Sequence, residues 1–259
     1  MTTPRAIVPL FEPDRSELYD PNHPAHVAAS AHLTYRGGPL LGRVRIVPVF
    51  WGDAWRTGHA QIDEAHWMAG FYAELVTGPT LQRLAAEYSV PNFPISAGTV
   101  EASVYVPRKS TRAVSDNQIR RRIEKGTLAG RLPDWSPDML VVVHLQPGMA
   151  VTQGGSRSCQ AFCGYHDSLS NDGGPDPRAY AVLPYPSCTG CLGGLSAFDS
   201  LTSIASHEVM EAVSDPIPGS GWYDGPSNAE NADLCAWIQG SEAGYVVQKM
   251  WSNAAQACV

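Results

Sequence analysis

The segment that most constrains this chain of 259 residues is a polar stretch over 206–216 that ends at a proline. It predicts the second half of a helix that begins near Ser196 or Asp199 and ends before Pro216, because proline cannot continue a helix. Apolar side chains at three- and four-residue spacing give this helix a stripe that would pack against a core. The stripe consists of Leu201, Ala205, Val209, Ala212 and Val213.

His207 and Glu211 lie outside that stripe. They are four residues apart, so both side chains should point the same way, about 6 Å apart along the helix axis. With Glu208 between them, the spacing matches the HExxH zinc helix, in which two histidines bind the ion and the glutamate is the general base. Glu211 replaces the second histidine, and a carboxylate is also a zinc ligand. The alternative is an amphipathic helix whose solvent-facing side carries these three residues.

A catalytic zinc site needs a third protein ligand, and the candidates are Asp215, Glu230, Asp233 and His166. Asp215 follows His207 by eight residues on the same helix, about 12 Å by helical rise, which is too far unless the helix ends early. Glu230 follows His207 by 23 residues, a distance that resembles thermolysin-like enzymes. We therefore expect Glu230 as the third ligand and Asp233 as the acceptor for the second ring nitrogen of His207. The alternative for both residues is a polar loop.

One histidine and two carboxylates form a harder ligand set than most zinc sites, so Mn²⁺ or Ca²⁺ is a weaker alternative to Zn²⁺. Zn²⁺ remains the expected ion because it lowers the pKa of a bound water to about 7. Tyr223 is the expected donor to an oxyanion, and His166 is the alternative donor. Both side chains could equally be structural.

Composition limits the partners and the domain count. The net charge of −7 argues against nucleic acid or anionic lipid, and no apolar run approaches the roughly 18 residues of a membrane span. Residues 1–30 are proline-rich and aperiodic, which predicts an extended N-terminal arm; they lack the pattern of a signal peptide. Residues 31–259 are expected to form a single catalytic domain. The sequence does not indicate an oligomeric state.

Six cysteines in loops rich in glycine, serine and proline predict disulfides and hence an oxidising compartment. The expected pairs are Cys159–Cys163, Cys188–Cys191 and Cys235–Cys258. A structural zinc site built from the first four cysteines is the alternative, since their spacing also fits one.

Hydrophobic periodicity predicts alternating strands and helices before the polar helix. Strands are expected over 44–51, 102–106, 139–145, 179–183 and 244–251, and helices over 61–77, 79–88 and 119–125. His144 is expected to be a core histidine. This order favours an α+β, zincin-like metallopeptidase fold with a mixed sheet and an active-site helix, in which the strand before the helix borders the cleft and can accept substrate as an extra strand.

Several segments together resemble the exordium-like, or phosphate-induced, protein family, above all its bacterial branch. They lie at 33–41, 49–52, 159–166, 180–188, 206–216, 221–224, 230–235 and 247–258. The resemblance implies a secreted protein with disulfides. Plant members of the family lack HExxE at this place, whereas the bacterial relatives that keep it look like zincin-type metallopeptidases.

Two functions are expected from these observations. The first is a zinc-dependent hydrolase, a metallopeptidase acting on a peptide or protein, in which Glu208 is the general base toward water activated by the ion. The second is a non-catalytic extracellular binding or signalling module with a structural metal or none.

Overall fold

The computed structural model describes residues 7–12, 31–128, 130–170 and 176–259. Six helices are present in this part: α1 (Ala54–Thr57), α2 (His59–Leu75), α3 (Pro79–Tyr88), α4 (Asp116–Leu128), α5 (Thr189–Leu192) and α6 (Ala197–Ser214). A short 3₁₀ turn covers Asp233–Cys235.

The strands in chain order include several of only two residues. They are β1 (Ile7–Val8), β2 (Thr34–Tyr35), β3 (Arg45–Trp51), β4 (Thr99–Val100), β5 (Val104–Val106), β6 (Val114–Ser115), β7 (Met139–Leu145), β8 (Val151–Gln153), β9 (Ser156–Arg157), β10 (Gly164–Ser168), β11 (Ala179–Pro184), β12 (Trp222–Tyr223), β13 (Gln239–Glu242), β14 (Tyr245–Gln248), β15 (Trp251–Ser252) and β16 (Ala257–Cys258).

Within the described ranges the main sheet is mixed and has seven strands, in the order β1-β10-β11-β7-β3-β4, with β5 also paired to β3. Strands β11, β7, β3, β4 and β5 run parallel to their neighbours in this central part. Strand β10 is antiparallel to β11, and β1 is in turn antiparallel to β10. The predicted α+β class with a mixed sheet is therefore confirmed.

Helices cover both faces of the sheet, which explains why β7 is buried at every residue and apolar at every residue except His144. Side chains from α2, α3 and α6 pack on one face, together with Phe50 and Val142. On the other face, Ile119 and Ile123 of α4 pack against the alternate strand residues. The alternation follows the two-residue period of a strand.

Pro48 lies inside β3, although proline cannot donate to a strand ladder. On one side of β3, the pairing is shared by two short strands with a break between them. Strand β4 pairs with residues 45 and 46, and β5 pairs only from Val49 onward. The proline therefore sits where two short partner strands leave a gap.

Helix α6 is buried along its last 15 residues, unlike an ordinary surface helix with one polar side. Ser196 caps its first turn by accepting the backbone N–H of Asp199 at 3.1 Å. Its buried hydroxyls find partners: Ser203 donates to Gln239 Oε1 at 2.8 Å, and Ser206 accepts the Gln248 N–H at 2.9 Å. The helix predicted between Ser196 and Pro216 is thus confirmed, but its polar side faces protein and not solvent.

Most predicted elements occur close to their expected bounds; one predicted strand needs correction, and one strand of the main sheet was missed. The strand expected over 244–251 is instead the second half of a hairpin, β13–β14, followed by the separate strand β15. Strand β10 was not predicted, because its sequence Gly-Tyr-His-Asp-Ser has no apolar alternation.

Two of the three predicted disulfides are wrong. The observed pairs are Cys159–Cys188, Cys163–Cys191 and Cys235–Cys258, so only the last was predicted. Cys188 caps α5 and Cys191 lies within it, so the two thiols are set one helical turn apart and reach a neighbouring loop instead of each other. All six cysteines are paired, and the alternative of a four-cysteine zinc site is excluded.

Residues 7–12 are the described part of the predicted arm, and they include β1; residues 1–6 and 13–30 lie outside the described residues. In the portion of the chain that the structure describes, no helix has the length and apolar character needed to cross a bilayer.

Candidate metal centre

His207 and Glu211 meet on one side of α6, as their spacing predicts. His207 Nε2 lies 3.0 Å from Glu211 Oε1. His207 Nδ1 lies 3.1 Å from Gln248 Oε1, the acceptor end of a side chain whose amide nitrogen donates to the Ala232 carbonyl at 2.9 Å. Nδ1 therefore carries the proton, and the lone pair of Nε2 faces the carboxylates.

Asp233 stands on the Nε2 side of His207, with Oδ1 at 3.7 Å. Its backbone N–H donates to Glu211 Oε1 at 2.9 Å, and its Oδ2 accepts the Glu230 N–H at 3.1 Å. Asp233 was expected at the other ring nitrogen, but the structure gives that place to Gln248. Gln248 was missed because nothing in its hairpin sequence connects it with a helix about forty residues earlier.

His166, on β10, lies between the carboxylates of Glu208 and Glu211 on α6 and that of Glu230 on the loop before the 3₁₀ turn. Its Nδ1 is 3.2 Å from Glu208 Oε2 and 3.6 Å from Glu211 Oε2. Its Nε2 is 3.2 Å from the Asp215 carbonyl and 3.6 Å from Glu230 Oε1. A carbonyl only accepts, so Nε2 carries a proton and is not free to bind an ion.

Among the described residues, two groups of three side chains have ligand atoms within 4.8 Å of one another at this place: His166, Glu211 and Glu230, and His207, Glu211 and Asp233. Glu211 belongs to both groups. The expected set of His207, Glu211 and Glu230 is not brought together as one group, because Glu230 lies on the His166 side.

Four buried atoms of this cluster have no hydrogen-bond partner within the described structure: His207 Nε2, Glu211 Oε2 and both carboxylate oxygens of Glu230. Leaving a buried polar atom without a partner costs about 1–3 kcal/mol, and more for a charged group. Native proteins rarely concentrate several such atoms at one place. The donor set of imidazole and carboxylate fits Zn²⁺, with Mn²⁺ as the harder alternative.

Burial and mutual repulsion shift the titration of these groups. Burial and the charge of Asp233 raise the pKa of Glu211 to about 7, and burial with the charges of Glu211 and Asp215 raises the pKa of Glu230 well above its ordinary value. Burial alone would lower the pKa of His207, but the Glu211 carboxylate raises it well above normal. The negative electrostatic potential that raises these pKa values also favours the binding of a divalent cation. Protons and a metal ion therefore compete for the site.

Glu208 is fully buried, and both of its oxygens have partners. Oε1 accepts the backbone N–H of Val8 at 3.2 Å, and Oε2 faces His166. A Cβ on Gly164 would come within 3.1 Å of Glu208 Oε1 and 2.7 Å of Ile204. Glycine at the start of β10 therefore lets the strand approach the helix closely enough for this contact.

Asp215 and Tyr223 are engaged elsewhere. The Asp215 carboxylate accepts the backbone N–H groups of Gly219, Ser220 and Gly221 at 2.6–3.0 Å and so closes the loop after α6. Its charge also helps to raise the pKa of Glu230. The Tyr223 hydroxyl donates to Asn228 Oδ1 at 2.8 Å. Burial and the nearby Glu230 raise the pKa of Tyr223, so its hydroxyl remains a donor.

Comparison of this chain with protein-family models, curated proteins and solved structures found no match in any of the three.

Proposed function

We propose that this protein is a divalent-metal-dependent hydrolase of peptide bonds, with Zn²⁺ as the preferred ion. The observation that carries the proposal is the group of His207, Glu211 and Asp233, whose ligand atoms lie within 4.8 Å of one another and in which the buried atoms His207 Nε2 and Glu211 Oε2 have no hydrogen-bond partner. A cation is the simplest group that satisfies an imidazole nitrogen and several carboxylate oxygens together.

His207 Nε2, Glu211 and Asp233 are the ligands that the geometry favours. Two ligand atoms on a tetrahedral zinc ion are roughly 3.3 Å apart, and the separations of His207 Nε2 from Glu211 and Asp233 are 3.0 and 3.7 Å. This assignment replaces Glu230 by Asp233 as the third ligand. Glu230 then supplies negative charge beside the site and faces His166.

A divalent ion at this place supplies Lewis acidity toward a carbonyl and lowers the pKa of water that enters the site. Glu208 is the proposed proton acceptor, because His166 lies between it and the ligand Glu211, 3.2 Å from Glu208 Oε2 and 3.6 Å from Glu211 Oε2. It takes this role once the backbone contact from Val8 to its Oε1 opens. Burial alone would lower the pKa of His166, but Glu208 and the other carboxylates raise it to about 9. His166 therefore stays positively charged at neutral pH and positions Glu208 as a carboxylate.

The surroundings of the site support a zincin-like protein of the exordium-like type. Strand β10 runs antiparallel to β11 and next to the helix that carries His207 and Glu211, and its outer side is covered by the two-residue strand β1. A peptide that replaced β1 would add to the sheet at this place. Three disulfides fit an extracellular location.

The second candidate is a non-catalytic extracellular module with a structural metal. Complete burial of His207 and Glu211 favours it, since structural zinc sites are closed whereas catalytic sites keep one open position. If the protein is such a module, a glutamine in place of Glu208 would serve equally well.

The substitution Glu208→Gln distinguishes the two candidates. The side chain keeps its size and is not one of the proposed ligands, so metal content should be unchanged. Thermal stability should fall, because the buried His166 imidazolium loses its charged partner. Hydrolysis of a mixed peptide library, followed by mass spectrometry, should fall 10²–10⁴-fold, as expected on loss of a general base.

Glu64→Gln is the matched control, because Glu64 is a buried carboxylate that accepts the Tyr185 hydroxyl at 2.9 Å and has no contact with the site. Its activity should equal that of the wild type. If the wild type and Glu208→Gln cleave the same peptides at the same rate, the proposed hydrolase is contradicted.

A further inference from the structure

The described N-terminal residues lie along the outer edge of the main sheet as an added strand. Ile7 pairs with Tyr165 and Val8 with Gly164, antiparallel to β10. The Cys163 N–H donates to the Val8 carbonyl at 2.8 Å. Strand β1 therefore uses hydrogen-bonding groups of β10 that any extended peptide could use.

Residues 9–11 continue from β1 past α5 and the loop that carries Trp237, and they are held by both backbone and side-chain contacts. The Phe11 N–H donates to the Gly190 carbonyl at 2.7 Å, and Trp237 Nε1 donates to the Pro9 carbonyl at 2.9 Å. The Phe11 ring meets the Trp237 ring edge-on at 5.7 Å. A Cβ on Gly190 would come within 3.3 Å of Leu10, so glycine there makes room for the segment. These contacts describe an apolar peptide lying in a groove.

The same segment reaches the proposed general base. The Val8 N–H donates to Glu208 Oε1, and Val8 itself is only 1% exposed. With Oε2 facing His166, the carboxylate has no open side for water or substrate. Catalysis by Glu208 requires this backbone contact to break.

We propose that the groove along β10, between Cys163, Gly190 and Trp237, is the substrate-binding groove, and that residues 7–12 occupy it as an intramolecular inhibitor. The substrate class is an extended peptide with apolar side chains of the Val-Pro-Leu-Phe kind. Hydrolysis of that peptide depends on the proposed function, whereas its binding in the groove does not. A tethered segment has an effective concentration of about millimolar, so it excludes free peptides that bind more weakly than it does.

The test displaces the segment in the full chain with the double substitution Leu10→Asp and Phe11→Asp, which places two charges in the apolar groove. The control is Ala255→Asp with Gln256→Asp, which adds the same charge at two exposed positions. The probe is a fluorescent peptide, Ile-Val-Pro-Leu-Phe-Glu with blocked ends. Its binding is measured by anisotropy in a Glu208→Gln background so that it is not consumed.

We expect the displaced variant to bind the probe at least 10-fold more tightly than the wild type or the control. With Glu208 restored, hydrolysis of the peptide library should rise at least 10-fold. If the displaced variant binds the probe tightly but no variant hydrolyses peptides, the peptide-binding groove is supported and the proposed hydrolase is contradicted. Equal hydrolysis in the wild type and the displaced variant, without probe binding, would retain the hydrolase and overturn this inference.

Val8→Pro is a second variant that removes the N–H donated to Glu208 without adding charge. If thermal unfolding shows that the double variant does not fold, probe binding is measured with Val8→Pro instead. If folded Val8→Pro binds the probe no better than the wild type, residues 7–12 are a permanent strand of the sheet and the inference is wrong.

Discussion

Two histidines lie on the same face of the main sheet, on β7 and β10, and both are buried to within 1% exposure. His144 on β7 stacks on Phe50 at 4.8 Å, and within the described residues its polar partner is the Tyr72 hydroxyl, 2.9 Å from Nε2. His166 on β10 lies among carboxylates of Glu208, Glu211 and Glu230. Burial lowers the pKa of His144 to about 3, whereas the carboxylates raise that of His166 to about 9 in spite of burial.

The difference shows that burial alone does not mark a functional site in this fold. His144 is surrounded by apolar and aromatic side chains, so its neutral imidazole has a lower free energy than the charged form. Around His166 and His207 five carboxylates, Glu208, Glu211, Asp215, Glu230 and Asp233, surround two imidazoles. Such an excess of buried negative charge needs a cation, whether protons or a metal.

The low pKa of His144 predicts that the free energy of unfolding decreases strongly in acid. Its folded-state pKa is about 3 against an ordinary 6.5, so between these values the unfolded chain binds a proton that the native protein does not. Stability from this group is therefore lost as pH falls below 6.5, by about 3 kcal/mol between pH 7 and pH 4.

Urea unfolding at pH 7 and pH 4 measures this effect in the wild type and in His144→Gln, whose amide can still accept from Tyr72. The loss between the two pH values should be about 3 kcal/mol smaller in the variant. Equal losses would mean that His144 is protonated in the native protein at pH 4, so that burial does not keep it neutral.

A second prediction compares two buried glutamines, one in each region. Gln248 accepts from His207 Nδ1, and Gln146, two residues beyond His144, accepts the Ala54 N–H at 3.0 Å. Gln248→Met should lower metal affinity about 10–100-fold, as does loss of other groups that orient a ligand histidine. Affinity is measured by competition with a chromophoric chelator.

Gln146→Met is the control, because its amide also donates to backbone carbonyls, of Arg108 and Ser110. It should lose stability but keep the affinity of the wild type. If both variants bind metal equally well, Gln248 does not orient His207 toward an ion.

The smallest predicted effect is a difference of about 1 kcal/mol between two of the disulfides, which flank the elements of the carboxylate-rich region and do not involve β7. Opening Cys235–Cys258 should cost roughly 3.5 kcal/mol in the chain-entropy model. Opening Cys163–Cys191 should cost about 1 kcal/mol less, because Cys159–Cys188 still joins the same two loops. Urea unfolding of the two double Cys→Ala variants tests this, and equal losses would contradict it.

Local patterns were sufficient for the elements whose residues repeat at a fixed period. The apolar run of β7 and the helix before Pro216 could be placed to within two residues. The four-residue spacing of His207 and Glu211 likewise predicted their contact. These features depend only on neighbours along the chain.

Features set by long-range contacts could not be placed in the same way. Gln248 reaches His207 from a hairpin, and Asp233 faces Nε2 because its own backbone N–H is fixed by Glu211. The disulfide pairing of Cys163 with Cys191 depends on how two loops lie beside each other. Spacing between cysteines carries no information on that arrangement.

The central claim is that the carboxylate-rich cluster binds one divalent cation through His207, and elemental analysis of protein purified without added metal tests it most directly. We predict about one divalent ion, most often zinc, per chain in the wild type and in His144→Gln, and almost none in His207→Ala. Equal metal content in the wild type and His207→Ala, whether near zero or near one, would contradict the account.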